Sequence, residues 1–420
     1  MRIGDRRQLP GAFALLIVLA AVCAAVAGAQ IWRAGPARVA RADAQQQQRS
    51  GQAKRHSKSR RKQQRHKRRH HVVRKRIGPG TVALPGGAEG APSSGPGAAG
   101  SQSPSSPEGG APAGATGGSP NGDPFAGQSF YAEPGSAAAH TEQEWAAQGR
   151  SAEAAQIAKI ASQPVAQWFG DWSYGHGGTQ GDVSWWVGQA TAAGDLPVLV
   201  AYDLPWRDCS QYSSGGASSP AAYREFIAAM AAGIGSRRAV VILEPDALAE
   251  LSCLSGEQQS DYYSLLSSAV TTLGAHPAVA VYLDAGNAHW QPAATIASRL
   301  QQAGVANARG FSLNVSNFDS TSSETAYGEA IVHSSGAGAS PHFIIDTSRN
   351  GRGSAPGGEW CNPPGRGLGA DPTAATGNPL IDAFFWVKSP GDSDGNCNGG
   401  PSAGEFWASY ALELARNSAG

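Results

Sequence analysis

VVILEPD, at residues 240–246, is an apolar run that ends in a carboxylate, and three other segments have the same form. They are VLVAYDLPWRD at 198–208, VAVYLD at 279–284 and FIID at 343–346. Runs of this length that are rich in Val and Ile are typical of strands buried on both faces. In a parallel α/β barrel the carboxyl ends of the strands converge on one rim, which holds the active site. Acids that are far apart in sequence would therefore meet in one cleft.

Strand-like runs alternate with helix-like stretches through the second half of the chain. An Ala-rich stretch predicts a helix over 144–162, and Ser219-Pro220 is a favourable N-cap and first-turn pair for another helix. Such alternation implies parallel strands joined by right-handed crossovers. We therefore expect an α/β fold, a distorted parallel β/α barrel of about seven strands, preceded by a disordered arm and linker.

Composition divides the chain into four segments. Residues 1–29 hold three arginines and then an apolar run, which is typical of a signal peptide or of an uncleaved signal anchor. Residues 30–77 form a basic arm, in which 49–76 carry 14 Lys/Arg, four His and no acid. Residues 78–122 are a Gly/Pro/Ser-rich linker. Neither arm nor linker can build a core, so the folded domain is expected at 123–420.

The net charge of +1 conceals an uneven distribution of charge, since the N-terminal part of the chain is basic and the rest is acidic. Residues 77–420 hold 13 Lys/Arg against 30 Asp/Glu, and an acidic body argues against a nucleic acid substrate. The basic arm is either a solvated spacer or a contact with an anionic cell envelope. We expect a monomer that is secreted, or that is anchored on the outer face of the membrane if the signal is not cleaved.

Seven segments occur in one order and together resemble glycoside hydrolase family 6, the inverting β-1,4-glucanases. They are YDLPWRDCS, VVILEPDALAEL, VYLDAGNAHW, GFSLNVSNF, FIIDTSRNG, EWCNPPGRGLG and DAFFWVKSPGDSDGNC. The resemblance covers nearly all of residues 124–420. It implies a secreted endo-β-1,4-glucanase that acts on a β-1,4-glucan and needs no cofactor or metal.

The resemblance also implies roles for four acids. Asp246, in EPD, would be the general acid that protonates the leaving glycosidic oxygen. Asp208, in RDC, would raise the pKa of that acid and take part in the proton path. Asp394, in SDG, would be the base, and Asp284 would support the acid. Inverting enzymes keep acid and base far enough apart for a water molecule to fit between them.

Further residues would bind the sugar. Tyr202 would press on the glucosyl ring that is distorted, and Ser214 would hold the catalytic water. Arg349 and Lys388 would bind sugar hydroxyls or order the acids. Aromatic faces bury the C–H faces of sugars, and the stacking platforms implied are Trp168, Trp290 and Trp360.

Two sugar-site positions depart from the family pattern. Asn287 stands where the family has His, so that His289 would partly substitute, and Asp392 stands where the family has Glu. Both departures are expected to affect substrate preference and rate, and they leave the set of acids intact. Three further acids are expected to be structural hydrogen-bonding residues: Asp203, Asp346 and Asp382.

The cysteines outside the signal segment are even in number, which suggests two disulfides in an exported chain. The resemblance pairs Cys209 with Cys253 and Cys361 with Cys397. Only Gly395 and Asn396 separate Asp394 from Cys397, and tunnel-forming exo-acting members of the family have a long insertion there. The short loop predicts an open cleft and internal cleavage. The alternatives are a non-catalytic glucan-binding protein and a hydrolase of a related cell-surface glucan.

Overall fold

The computed structural model describes residues 124–418 apart from residue 126 and residues 335–341. The predicted signal segment 1–29, arm 30–77 and linker 78–122 lie outside the described residues. Within the part that is described, no helix is long and apolar enough to cross a membrane.

Seven parallel strands form one sheet whose spatial order follows the chain from β1 to β7. The strands are β1 (Gln167–Phe169), β2 (Val198–Ala201), β3 (Ala239–Leu243), β4 (Val279–Asp284), β5 (Gly310–Leu313), β6 (His342–Asp346) and β7 (Ile381–Phe385). The α-helices of the described residues are α1 (Ala137–Ala147), α2 (Ser151–Ala161), α3 (Thr179–Ala193), α4 (Pro220–Ile234), α5 (Gly256–Gly274), α6 (Ala293–Gln302), α7 (Thr321–Ser334) and α8 (Ala408–Arg416). This architecture confirms the predicted fold class.

The sheet curls until its first and last strands approach each other. Val165, just before β1, forms a parallel bridge with Trp386, just after β7. The backbone N of Ala166 donates to the carbonyl oxygen of Trp386 at 3.0 Å, and Nε1 of Trp168 donates to the carbonyl oxygen of Val387 at 2.8 Å. We call this contact between β1 and the end of β7 the seam. The seam makes the sheet a distorted barrel rather than an open sheet.

The strands are apolar on both faces because each face has its own core. Side chains alternate along a strand, so Val240 and Ile242 point into the curl whereas Val241 and Leu243 pack against the surrounding helices. A third cluster joins α1, α2 and α8. This double burial explains the near-continuous apolar runs of the sequence.

The helices confirm some predictions and correct one. The Ser219 side chain accepts a hydrogen bond from the backbone N of Ala222, so the predicted N-cap of α4 is present. The single helix predicted over 144–162 was wrong, because the structure has two helices there, α1 and α2. Gly149, between them, has a φ of 76°, a left-handed conformation that glycine adopts without steric cost and that ends a helix.

Candidate active site

The predicted acids all lie at the edge of the sheet where the strands end. Asp208 follows β2, Asp246 follows β3, Asp284 is the last residue of β4, and Asp394 lies in the loop after β7. The backbone φ is 58° at Asp208 and 73° at Asp246. Residues with a side chain seldom adopt such values, and those that do are concentrated at functional sites. We call this edge the rim.

Asp246 is half-buried, and carboxylates surround it. Its side chain lines a cavity of about 10 Å³ together with Asp208 and Glu250. Burial raises the pKa of Asp246 well above its usual range. The negative charges of its neighbours raise that pKa further, in the order Glu250, Asp284 and Asp208, while the cation of Lys388 opposes them. Burial and the neighbouring charges thus favour the protonated carboxyl group of Asp246, the form in which a general acid acts.

Asp208 lies at the start of a short 3₁₀ turn, Asp208–Ser210. Its Oδ2 accepts a hydrogen bond from the backbone N of Ser213 at 2.5 Å. Burial raises the pKa of Asp208 to about 6, although the N–H of Ser213 and the charge of Arg207 favour the ionised form. Asp208 is thus mostly ionised at neutral pH, and its charge helps to keep the proton on Asp246.

Asp284 supports the backbone that carries Asp246. Its Oδ1 accepts hydrogen bonds from the backbone N of Asp246 at 2.9 Å and of Gly286 at 3.0 Å, and its Oδ2 accepts one from Ser312 Oγ at 3.0 Å. Burial raises the pKa of Asp284 to about 7. The hydrogen bonds hold the EPD turn in place, and the ionised form of Asp284 adds negative charge beside the acid.

Asp394 has the opposite electrostatic environment. Its Oδ2 lies 2.9 Å from Nη1 of the fully buried Arg349, and its Oδ1 lies 3.3 Å from Nζ of Lys388. These two cations, Arg349 first, lower the pKa of Asp394 although burial alone would raise it. Asp394 is therefore held as an anion. Of the two roles predicted for Arg349 and Lys388, the geometry favours the ordering of an acid.

Asn362 was not predicted from sequence, yet it fixes Asp394. Its backbone N donates to Oδ2 of Asp394 at 3.0 Å, and its Oδ1 accepts from the backbone N of Asp394 at 2.8 Å. Its Nδ2 also donates to Ser393 Oγ at 3.1 Å and to the carbonyl oxygen of Gly395 at 2.9 Å. The signal in the sequence was its position directly after Cys361 in the WCNPPG segment.

Arg207, directly before Asp208, was also missed. Its Nη2 pairs with Asp171 Oδ1 at 2.9 Å, and its Nη1 and Nε donate to the carbonyl oxygens of Tyr202 and Ser213, each at 2.9 Å. The guanidinium lies 4.8 Å from the Tyr202 ring and 5.0 Å from the Trp172 ring. Arg207 thus fixes the loop that carries Asp208 against the aromatic side of the rim.

The predicted aromatic residues occupy several parts of the rim. Tyr202 is buried and meets Trp168 edge-on, with ring centroids 5.3 Å apart. Burial and the charges of Asp246 and Asp208 raise the pKa of Tyr202 well above its usual value, so its hydroxyl stays protonated.

The other predicted sugar-binding residues lie in loops. Trp290 and Trp360 are half-buried, in the loops after β4 and β6. Trp360 lies 6.1 Å from the Tyr212 ring, and Ser214 is half-buried in the loop after Asp208.

The two departures from the family pattern are placed differently from each other. Asn287 is buried, and its Oδ1 accepts a hydrogen bond from the backbone N of His289 at 3.0 Å. The side chain of His289 is 69% exposed and its Nδ1 lies 2.9 Å from Asp319, so it does not take the buried position of Asn287. Asp392 is half-buried, and burial raises its pKa to about 6.

The acids expected to be structural accept hydrogen bonds from backbone N–H groups or form ion pairs with arginine side chains. Asp346 accepts hydrogen bonds from the backbone N of Ser316 and of Lys388, each at 3.0 Å. Asp382 lies near the start of β7, at the opposite end of the sheet, where it pairs with Arg309 at 2.7 Å. Asp203 lies 3.6 Å from Arg207.

Glu244, the Glu of EPD, is buried and was not singled out from the sequence. Its two oxygens accept from the backbone N of Asp203, both at 3.0 Å, and Oε2 also accepts from Leu204 N at 3.1 Å. Glu244 therefore fixes the backbone at the end of β2. Its position two residues before Asp246 in the motif was the available signal.

Both predicted disulfides are present, Cys209–Cys253 and Cys361–Cys397. The first joins the residue after Asp208 to the loop that follows Asp246. The second joins the residue before Asn362 to the loop that carries Asp394. Each disulfide therefore links two of the loops from which the site is built, which favours a preorganised arrangement.

Comparison with known proteins agrees with this geometry. The profile of Glycosyl hydrolases family 6 matches residues 125–418. Endoglucanase 1 of Streptomyces halstedii is 44% identical over 293 residues, which are 68% of this chain and 88% of that protein. Endoglucanase A of Cellulomonas fimi is 45% identical over 262 residues, which are 62% of this chain and 56% of that protein.

A solved structure is similar over the same region. The endoglucanase Cel6 from Mycobacterium tuberculosis, in complex with methyl-cellobiosyl-4-deoxy-4-thio-β-D-cellobioside, has a TM-score of 0.65 and 45% sequence identity. The match covers 70% of this chain and 99% of that one. The family profile, the relatives and the fold coincide on the part of the chain that forms the curled sheet, and the chain therefore belongs to glycosyl hydrolases family 6.

Proposed function

We propose that this chain is an endo-β-1,4-glucanase that hydrolyses cellulose-type glucans with inversion at the anomeric carbon. Membership of the family supports glycoside hydrolysis, and the endoglucanase names of the relatives support the endo-acting glucanase. The solved relative holds a thio-linked cellobioside, which supports a β-1,4-glucan as substrate.

One observation carries the mechanism: two carboxyl groups of the same rim have pKa values shifted in opposite directions. The pKa of Asp246 is raised by burial and neighbouring carboxylates, and that of Asp394 is lowered by Arg349 and Lys388. Glycoside hydrolysis needs one protonated and one ionised carboxyl group on either side of the scissile bond. Environments that separate two pKa values in this way assign the acid and its partner.

In the proposed reaction Asp246 gives its proton to the glycosidic oxygen while a water molecule attacks the anomeric carbon from the opposite face. The ionised Asp394 stabilises positive charge on the sugar ring and receives the proton of the water, directly or through a second water. Its lowered pKa makes it a weak base, so charge stabilisation is its larger contribution. Ser214 would position the attacking water, and Tyr202 would press on the distorted ring.

Asp208 and Asp284 would assist the reaction indirectly, by their effects on the general acid Asp246. Asp208 supplies negative charge and a route by which the acid regains its proton, and Asp284 holds the Asp246 backbone at 2.9 Å. Glucosyl units on either side of the scissile bond would stack on Trp168, Trp290 and Trp360.

The proposed internal cleavage rests on the loop after Asp394. Only Gly395 and Asn396 precede Cys397, whose disulfide to Cys361 fixes the loop close to the rim. A loop of this length is too short to form a roof over the cleft. An open cleft accepts a chain at internal positions, as an endo-acting enzyme requires.

The proposal includes export. The support is the Arg-containing apolar segment at 1–29 together with two disulfides, which persist in oxidising compartments. Residues 30–122 would then be a tether or a contact with an anionic envelope, and the catalytic domain would act as a monomer.

Product stereochemistry and viscosity test the proposal together. Fresh digests of cellopentaose should contain the α-anomer first by NMR, because inversion at a β-linkage gives α. The viscosity of carboxymethylcellulose should fall before much reducing sugar accumulates. An initial β-anomer would exclude inversion, and processive release of cellobiose at preserved viscosity would exclude internal cleavage. A parallel assay on mixed-linkage glucan tests whether Asn287 and Asp392 shift the substrate towards a related glucan.

A further inference from the structure

Four large hydrophobic side chains are exposed within the described residues, and all four are aromatic. Trp172 is 48% exposed, Tyr174 73%, Trp185 43% and Trp206 41%. Single exposed hydrophobic residues are ordinary, but a group of them in one region marks a binding surface. All four lie between 172 and 206, in the part of the chain that runs from the end of β1 to the loop after β2.

Three of these residues lie on the loop after β1 or on α3, which that loop enters, and the first of them, Trp172, is close to the proposed sugar site. The ring centroids of Trp168 and Tyr202 lie 5.3 Å apart, and those of Tyr202 and Trp172 lie 6.5 Å apart. Tyr174 is two residues further along the same loop. We define the aromatic strip as Trp172, Tyr174 and Trp185.

Trp185, on α3, stacks against His176, which lies in the loop after β1. The His176 ring lies parallel to the Trp185 ring, with centroids 4.8 Å apart and an interplanar angle of 12°. Trp185 is in the first half of α3, whose N-terminus faces the rim because the helix follows the loop that leaves β1. The stacked pair therefore places Trp185, on α3, beside the loop that carries Trp172 and Tyr174.

The loop beneath the strip is held in one conformation. Asp182 accepts hydrogen bonds from the backbone N of Gly175 at 3.0 Å and of His176 at 2.6 Å, and its Oδ1 lies 2.9 Å from Nδ1 of His176. At the other end of the loop, Ser173 N donates to Gly170 O at 2.9 Å, and Gly170 N donates to Ser173 Oγ at 3.1 Å. A platform ordered before binding loses little entropy when a ligand arrives.

The chemistry of the strip suits a neutral polysaccharide. Exposed aromatic faces bury the C–H faces of glucosyl rings. The carboxylates beside the strip already have partners: Asp171 pairs with Arg207 at 2.9 Å, and Asp182 accepts hydrogen bonds from the backbone N of Gly175 and of His176. A charged ligand would gain little from such a surface, whereas an uncharged glucan needs no ionic partner.

We propose that the aromatic strip binds the glucan chain beyond the Trp168 platform, so that a long chain held at the catalytic acids continues over Trp172 and Tyr174 towards Trp185. This inference rests on the proposed glucanase function and extends it to chain-length preference. The strip adds affinity for long chains and leaves the chemistry at Asp246 unchanged.

The test compares short and long substrates for variants of the outer strip, Tyr174→Ala and Trp185→Ala. Loss of a stacking platform should lower kcat/KM on hydroxyethylcellulose by roughly 3- to 10-fold and leave kcat/KM on cellotetraose unchanged. Tyr174→Phe and Trp185→Phe keep an aromatic face and should retain most of the activity on the long chain. Thermal unfolding of each variant checks that α3 remains folded.

Several results would contradict the proposal that the strip binds the glucan chain. Equal activity of the Ala variants and the unaltered protein on both substrates would show that the strip does not bind the chain that is held at the catalytic acids. An equal loss on cellotetraose and on hydroxyethylcellulose would show that the variants disturb the site itself. Reduced adsorption to insoluble cellulose, with both soluble activities intact, would mean that the strip binds a separate chain. If the unaltered protein cleaves no β-1,4-glucan, the proposed function fails first and this inference fails with it.

Discussion

Asn362 and Asp394 hold each other by a reciprocal pair of hydrogen bonds, each from the backbone N of one residue to the side chain of the other, at 3.0 and 2.8 Å. The pair fixes the Asp394 carboxylate before any substrate is present. Arg349, fully buried, completes the arrangement at 2.9 Å. The anion of the site thus depends on a residue that carries no charge.

Removal of the Asn362 side chain should weaken both the fold and the reaction. Asn362→Gly keeps a backbone that tolerates the φ of 47° but leaves Asp394 N and its neighbours without their partner. We expect a loss of about 1–3 kcal/mol in the free energy of unfolding, and a lower kcat with little change in KM. Asn362→Ala should lose more stability, because alanine resists a left-handed φ. Urea unfolding and kinetics on carboxymethylcellulose measure both effects, and wild-type kcat in both variants would contradict a role for this pair.

Asp246→Asn should abolish turnover of substrates with poor leaving groups while glucan binding stays nearly unchanged. The variant cannot supply a proton, and general acid catalysis typically contributes about 10²–10⁴-fold. An aryl cellobioside with an acidic phenol as leaving group should be affected much less. Asp371→Asn, at an exposed carboxylate, is the matched control. Unchanged activity of Asp246→Asn on cellulose would assign the acid to another residue.

Glu250→Gln should shift the alkaline limb of the pH–kcat profile to lower pH. Glu250 is the carboxylate with the largest effect on Asp246, and it raises the pKa of that acid. When this negative charge is removed, Asp246 loses its proton at lower pH, while the acidic limb stays in place. The glutamine preserves size, and Glu225→Gln, exposed on α4, is the control. An alkaline limb that does not move would show that Glu250 does not influence the acid.

Deletion of residues 30–122 should leave activity on soluble glucan within a few-fold, since the segment contributes no site residue and cannot build a core. If the arm contacts an anionic envelope, the same deletion should reduce sedimentation with cell envelopes at low salt. Binding of the full chain should then fall as salt rises, because exposed charges are screened within about 8 Å at physiological ionic strength. Equal retention of both proteins would leave the arm as a tether.

The sequence predicts the strands of this fold more accurately than some helices. The run VVILEPD is apolar on both faces because β3 is buried on both, and the acid after it falls at the rim for the same reason. The break at Gly149 was missed because alanine-rich sequence on either side favours helix and one glycine is a weak signal.

The acids of the site and some of their supports, such as Asp284 and Arg349, were predictable, whereas Asn362, Glu244 and Glu250 were not singled out. Asp246, Asp208 and Asp394 belong to recognisable motifs. The partnership of Asn362 with Asp394 joins the loops after β6 and β7, which are distant in sequence, and no periodicity records such a contact. Glu250 lies only four residues after Asp246, but the sequence of the turn between them does not show how strongly its charge acts on the acid.

The seam between β1 and the end of β7 ties a sugar platform to the loop that carries an acid. Trp168 donates across it to Val387, and Lys388 follows directly with its amine 3.3 Å from Asp394. A transient separation of these two edges would displace the platform and the anion in a single event. Ala166 donates its backbone N–H across the seam, so amide exchange at Ala166 and the loss of activity on heating should then rise together.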